Sequence, residues 1–182
     1  VNTGKETMEY LVISALGRDR PGIINDLAMA AVDAGCNIVD SRMTVLGGEF
    51  AVLMMVAGKW NAIAMLESQM PAVGKRLELT VISKRTEEHE VLDGGRPYTV
   101  EVIALDHPGI VHQLAGFFSS RSINIQDLAT DSYRAAHTGA QMFSANLTVN
   151  IPADVHISRL REEFLDFCDQ LNLDAVLEPV KG

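Results

Sequence analysis

The sequence predicts an α+β protein built of two tandem ferredoxin-like βαββαβ domains. Each is a four-stranded antiparallel sheet with two helices on one face. Three observations carry this expectation. First, DRPGIINDLAMAAVDAGCNI (19–38) returns 87 residues later, without a gap, as DHPGIVHQLAGFFSSRSINI (106–125). Asp19, Pro21, Gly22, Ile23, Leu27, Ala28, Asn37 and Ile38 recur identically, and beyond the window Asp40 recurs as Asp127. Second, the flanks of each copy pass from strand-like apolar segments to segments of helical period. Third, each copy has about 80 residues, enough for a small domain with its own core.

In the first copy MEYLVISALG (8–17) is rich in apolar and β-branched residues and reads as a strand. Pro21 suits the first turn of a helix, where its fixed φ helps and its missing N–H costs nothing. Ile23, Ile24, Leu27, Ala28 and Ala31 then form one helix face, and Gly35 stops the helix. CNIVDSRMTVL (36–46) and EFAVLMMVAG (49–58) read as strands joined through Gly47-Gly48 as a hairpin. NAIAMLESQMPAVGKR (61–76) reads as a helix burying Ile63, Leu66, Met70 and Val73, kinked or split at Pro71. LELTVISK (77–84) is the last strand.

The second copy repeats the order. YTVEVIAL (98–105) is a strand, and Ile110, Val111, Leu114, Ala115 and Phe118 repeat the helix face. INIQDLATDSYR (123–134) and TGAQMFSANLTVNI (138–151) form a hairpin about six residues longer than its counterpart. ADVHISRLREEFLDFCDQLN (153–172) is a helix with Ile157, Leu160, Phe164, Phe167 and Leu171 inward, and LDAVLEP (173–179) closes the unit. The first domain is expected over 1–84, a polar linker over 85–96 and the second domain over 97–182.

Composition excludes several function classes. The formal charge is −9, and the short basic clusters Lys75-Arg76 and Lys84-Arg85 are outweighed by acids, so direct nucleic-acid binding is not expected. Cys36 and Cys168 form no CxxC pair and no Cys/His cluster has metal spacing, so no metal is expected and both read as buried thiols in a reducing compartment. No apolar run approaches the roughly 18 residues of a membrane span, and VNTGKETMEY (1–10) has no signal-peptide core. The expectation is a soluble cytoplasmic protein without membrane contact. At 5% aromatic residues there is no stacking platform for RNA, and the loop GRDRPG holds no metal-carrier cysteines. An acylphosphatase-like anion loop would need Arg18 or Arg20, and ALDHPG in the second copy keeps neither. No phosphate-cradling, nucleophile-elbow or zinc-protease motif occurs, and the five histidines are scattered. No catalytic residue is expected.

What both copies keep is D-x-P-G-I at the loop entering the first helix and N-I after that helix. Each residue has a purely structural reading. Asp19 and Asp106 could satisfy free N–H groups at the helix start. Gly22 and Gly109 could permit a tight turn, and Asn37 and Asn124 an unusual backbone after the helix. Recurrence of the whole set favours a binding site, since structure alone tolerates many residues at each position. In a βαβ path the Asn lies about one helix length from the Pro-Gly of its own unit, so the two meet only when two units pack together.

The βαββαβ order, with D-x-P-G-I after strand one and N-I fifteen residues after the glycine, resembles the ACT domain, a small regulatory module that typically binds amino acids. The resemblance spans 8–84 and 97–180. A chain made of two such units resembles the family of the glycine cleavage system transcriptional repressor. That resemblance implies a non-enzymatic repressor responsive to glycine, without a DNA-binding domain of its own. It would act by protein contact with a LysR-type activator of the glycine cleavage genes. It also implies a ligand held between two units by Asp19, Gly22 and Ile23 with Asn37 and Ile38, and by Asp106, Gly109 and Ile110 with Asn124 and Ile125. Helix N-terminal N–H groups would take the amino-acid carboxylate, and the Asp or Asn side chains its ammonium group. Some relatives carry Asn where this chain has Asp, and an anion there would repel a carboxylate placed too close. The alternative is a docking or oligomerisation module with no ligand. The doubly apolar strand FAVLMMVAG points to association through a sheet or helix face, with a homodimer expected.

Overall fold

The computed structural model describes residues 7–87 and 94–180. The chain forms two compact units, residues 1–90 and 91–182. The first contains β1 (Met8–Arg18), α1 (Ile23–Asp33), β2 (Asn37–Leu46), β3 (Glu49–Lys59), α2 (Trp60–Leu77) and β4 (Thr80–Thr86). The second contains β5 (Arg96–Leu105), α3 (Ile110–Ser119), β6 (Asn124–Arg134), β7 (Gln141–Ile151), α4 (Ile157–Gln170) and β8 (Asp174–Pro179). Each sheet is antiparallel, with orders β2-β3-β1-β4 and β6-β7-β5-β8. This is the βαββαβ arrangement the sequence implied. The first helix-strand pair carries the chain to one sheet edge, and the second returns it to the other.

Strand alternation decides which side faces the helices. Leu11, Ile13 and Ala15 of β1 and Phe50, Val52, Met54 and Val56 of β3 are buried in the first core. Val100, Val102 and Ala104 of β5 and Phe143, Ala145, Leu147 and Val149 of β7 do the same in the second. Among the described residues none belongs to both cores.

Several expectations shift. Pro21 is not in the first helical turn: α1 starts at Ile23, and Gly22 before it is left-handed, with φ 94° and ψ −10°. Those are the angles of the third residue of a type II turn, whose second position favours proline. Ile24 and Val111 lie outside the buried face, at 38% and 39% exposure, while Ala30 and Phe117 lie inside. In the second unit the cause is visible: α3 turns toward α4, where Phe117 packs on Phe164 and Phe167 at 5.2 and 5.0 Å between ring centroids. Pro71 does not split α2, which runs unbroken from Trp60 to Leu77. Proline removes one helical bond, but buried Leu66, Met70, Val73 and Leu77 hold the turns on both sides of it to the core. The last helix starts at Ile157 rather than 153, because a turn closed by the Val155 N–H on the Pro152 carbonyl comes first. Of the expected linker, Arg85, Thr86 and Arg96 lie in strands and residues 88–93 fall outside the described residues. The longer second hairpin holds: Ile38 pairs with Val56, whereas Ile125 pairs with Val149.

The four helices among the described residues all end the same way, which the sequence suggested only for Gly35. Gly35, Glu78, Ser122 and Asn172 are left-handed, with φ of 78°, 56°, 56° and 55°. The next N–H reaches back to a last-turn carbonyl each time: Cys36 to Ala31, Leu79 to Gly74, Ile123 to Phe118 and Leu173 to Cys168. A left-handed residue with a Cβ is strained by about 1–2 kcal/mol. Ser122→Gly is therefore expected to raise the stability of the second unit by about 1 kcal/mol in urea unfolding. An unchanged or lower midpoint would contradict this account of the helix end.

Both cysteines are buried and free. Burial, with a smaller push from neighbouring Asp169, raises the Cys168 thiol to about 12. An unfolded thiol ionises near 8.5, so above that pH the unfolded chain has released a proton that the folded chain keeps. Stability from this group is whole below the unfolded pKa and falls as pH rises toward 12, by at most about 1.4 kcal/mol per pH unit. Cys168→Ala should flatten the decline in unfolding free energy between pH 8.5 and 10.5 relative to the parent chain. Parallel slopes would show that the thiol does not carry it.

Candidate functional site

The two D-x-P-G-I loops have one geometry. β1 runs to Arg18, and the Asp19 N–H then bonds the Gly48 carbonyl at the tip of the β2–β3 hairpin (3.0 Å). Likewise the Asp106 N–H bonds the Gln141 carbonyl (2.9 Å). The chain turns through Pro21-Gly22 and Pro108-Gly109, with Gly109 at φ 96° and ψ −4°. A Cβ on either glycine would meet nothing within 4 Å, so glycine is there for backbone conformation and not for space. The glycine carbonyls accept the first helical bonds, from Asp26 (3.0 Å) and Gln113 (2.9 Å).

Neither helix start has a side-chain cap. The structural reading of Asp19 and Asp106 as caps is thereby removed. The first-turn N–H groups of α1 and α3 lack an intrahelical partner, as in any helix. They lie beside a carboxylate-bearing, exposed loop in each unit. The Ile23 and Ile110 side chains are buried in the cores, at 1% and 2% exposure, so these residues can offer a ligand only their backbone.

The loops differ in one contact that sequence reasoning missed. The Ser132 hydroxyl on β6 donates to Asp106 Oδ2 (3.1 Å). The position 87 residues earlier is Val45, which has no hydroxyl. No local spacing announces this pair, because the register of β6 on β7 brings position 132 back to the loop. Arg20, between Asp19 and Pro21, points its guanidinium to the Leu77 carbonyl at the end of α2 (3.4 Å). It lines a groove between α1 and α2 that also holds Asp26, Asp33 and Arg76.

Asn37 and Asn124 open β2 and β6, directly after the left-handed helix ends, and both are exposed. They pair with Ala57 and Asn150. Ile38 and Ile125, half-buried, pack against the two cores. A β-bulge follows in both units, between Ile38 and Asp40 and between Ile125 and Asp127. Without it Asp40 would share the helix-side face with Ile38. The extra residue turns Asp40 opposite Met55 and Asp127 opposite Thr148, on the outer face. That gives the recurring aspartate a structural reason.

Each unit therefore gathers Asp19, Gly22 and Ile23 (or Asp106, Gly109 and Ile110) at one end of its sheet. Asn37 and Ile38 (or Asn124 and Ile125) lie at the other. Asn37 is level with Ala57 and Tyr10, and Tyr10 is nine residues along β1 from Asp19. At strand rise that is about 30 Å. The two halves do not meet within a unit. Among the described residues no group of His, Cys, Asp or Glu could hold a metal ion, and no helix is long and apolar enough to cross a membrane.

Comparison with known proteins adds the following. A family model described as the ACT domain matches residues 9–84. The glycine cleavage system transcriptional repressor of Escherichia coli (strain K12) is 33% identical over 96% of this chain and 92% of its own. A crystal structure provisionally assigned as a glycine cleavage system transcriptional repressor is 30% identical, with a TM-score of 0.74 over 96% of this chain and 99% of that one. A protein of Galdieria sulphuraria whose function its name gives as unknown is 25% identical, with a TM-score of 0.76 over 96% of this chain and all of its own.

Proposed function

The chain belongs to the family of the glycine cleavage system transcriptional repressor, a regulatory and non-enzymatic family, and from that premise we propose that it is a cytoplasmic, glycine-responsive repressor of glycine cleavage genes. Its output is protein contact with a LysR-type activator, not contact with DNA, in keeping with a net charge of −9. It acts as a homodimer.

One observation supports the sensing role above the rest. The same uncapped helix start, behind the same aspartate and the same left-handed glycine, occurs in both units. Free N–H groups and the positive end of the helix dipole suit an amino-acid carboxylate. The Asp19 or Asp106 carboxylate, or the Asn37 or Asn124 amide, suits the ammonium group. A ligand as small as glycine cannot span the two ends of one sheet, so two units must contribute to a site that uses both. Ligand binding then shifts activator binding only as far as glycine prefers one state, typically ~1–3 kcal/mol.

The test is calorimetry of the full chain against the common amino acids, repeated with Asp19→Ala, Asn37→Ala, Asp106→Ala and Asn124→Ala. Selective glycine binding, weakened at least ~tenfold by one Asp and one Asn substitution, is expected. Binding unchanged in all four variants would remove the site. A flat profile for every amino acid would favour the docking-module reading, which the exposed apolar Leu16, Leu53 and Ile82 on the first sheet support.

A further inference from the structure

The outer faces of the two sheets, away from their helices, are chemically unlike although the folds repeat. Register lays the outer residues of the first sheet in rows across its four strands. One row is Asp40, Met55, Val12 and Lys84, and the next is Arg42, Leu53, Ser14 and Ile82. A third is Thr44, Ala51, Leu16 and Thr80. Large apolar side chains are exposed on this face: Leu53 (52%) and Leu16 (51%) on the central strands and Ile82 (66%) on the edge strand β4. In the second sheet the positions corresponding to Met55, Leu53 and Ala51 are Thr148, Asn146 and Ser144, and Thr99, Glu101 and Ile103 stand beside them on β5. Around them stand Asp127, Asp131, Glu101, Asp174 and Glu178, and no cation shares their rows among the described residues.

We propose that the outer face of the first sheet is the homodimer interface, stacked on the same face of a second copy about a twofold axis parallel to the strands. The proposal rests on the reading of the chain as a homodimer and names the surface that makes it one. Such an axis, placed between β1 and β3, sets β3 over the partner copy's β1 and β2 over its β4, with each row facing its own copy. The face fits itself under that operation in two independent ways. Size alternates in two rows of the central strands: Leu53 comes over Ser14 and Leu16 over Ala51, so a large side chain meets a small one, as interdigitating sheets about 10 Å apart require, while Met55 comes over Val12 and Ile82 over Arg42. Charge complements at the rim: Asp40, which is paired with Arg42 on its own strand, comes over Lys84 of the other copy, twice by symmetry. The second sheet fails the same test, since its carboxylates would be brought together without a counter-charge. An apolar centre with an opposite-charge rim is the anatomy of a specific interface.

Sedimentation equilibrium of the full chain at micromolar concentration tests this. The parent chain should be dimeric. Lys84→Asp sets acid against Asp40 and should raise the dimer dissociation constant at least ~tenfold. Asp40→Lys should do the same, and the two together should restore association. Leu53→Asp should give monomer, while Ile103→Asp on the second sheet should leave the mass unchanged. All these positions are exposed, and circular dichroism checks that each variant is folded. A monomeric parent chain would overturn the proposal and leave the face to the chain's other unit or to a different protein. A dimer indifferent to both Leu53→Asp and Lys84→Asp would overturn it as well. Glycine calorimetry is a separate readout, so loss of the sensing proposal and loss of this one are distinguishable.

Discussion

Phe164→Ala is expected to cost about 3–5 kcal/mol and to unfold the second unit while leaving the first intact. Phe164 is fully buried and lies 5.2 Å from Phe117 and 5.3 Å from Phe118, ring centre to ring centre. Its removal leaves a cavity against α3 and takes away two edge or tilted ring contacts, each worth about 0.5–1.5 kcal/mol beyond burial. A unit of this size has only a few kcal/mol to lose. Among the described residues none belongs to both cores, so the damage should stay local. The chain's single tryptophan, Trp60, lies in α2 of the first unit, within reach of the Arg85 guanidinium (5.8 Å). Urea unfolding followed by Trp60 fluorescence should keep the parent midpoint. Far-ultraviolet circular dichroism should split into two steps, the earlier one belonging to the second unit. If both probes moved together by the full amount, the two cores would not be energetically separate.

The second large effect lies in the loop. Gly22→Val should cost about 2–3 kcal/mol, because a β-branched residue is forced to φ 94°. No atom lies within 4 Å of the would-be Cβ, so the whole cost is backbone strain and none is collision. Gly22→Asn, which tolerates left-handed backbone, should therefore recover most of the loss. The same pair at Gly109 should behave alike, since its angles match within a few degrees. Equal loss for valine and asparagine would point to a steric origin that this geometry does not contain. In the glycine-sensing proposal the valine variants also lose ligand binding, because the turn that aims the helix N–H groups is gone.

The candidate site was legible because duplication wrote it twice. Asp19, Gly22 and Asn37 would have passed as turn and cap residues in a single copy. Their return at one offset marked them, and the geometry has since removed the capping explanation and kept the turn explanation for the glycines. Ser132 was not legible. It reaches Asp106 through strand register set by a hairpin of its own length, and its counterpart Val45 carries no matching chemistry. The bulges after Ile38 and Ile125 were equally silent, since an unpaired extra residue leaves no periodic trace in ten residues of edge strand.

The amino-acid order by itself determined two units, their βαββαβ succession, which segments are helices and which are strands, and a loop-and-helix motif kept twice. Those properties rest on local period, turn chemistry and duplication, all of which are written along one dimension. The tertiary structure alone decided the rest. It put Phe117 inside and Val111 outside, because α3 leans on α4. It allowed Pro71 within an unbroken helix, because buried side chains on both sides hold the turns. It also laid Asp40, Met55, Val12 and Lys84 in one row. Residues from four strands become neighbours only when register fixes them, and register is a balance of burial over the whole sheet that no short stretch of sequence contains.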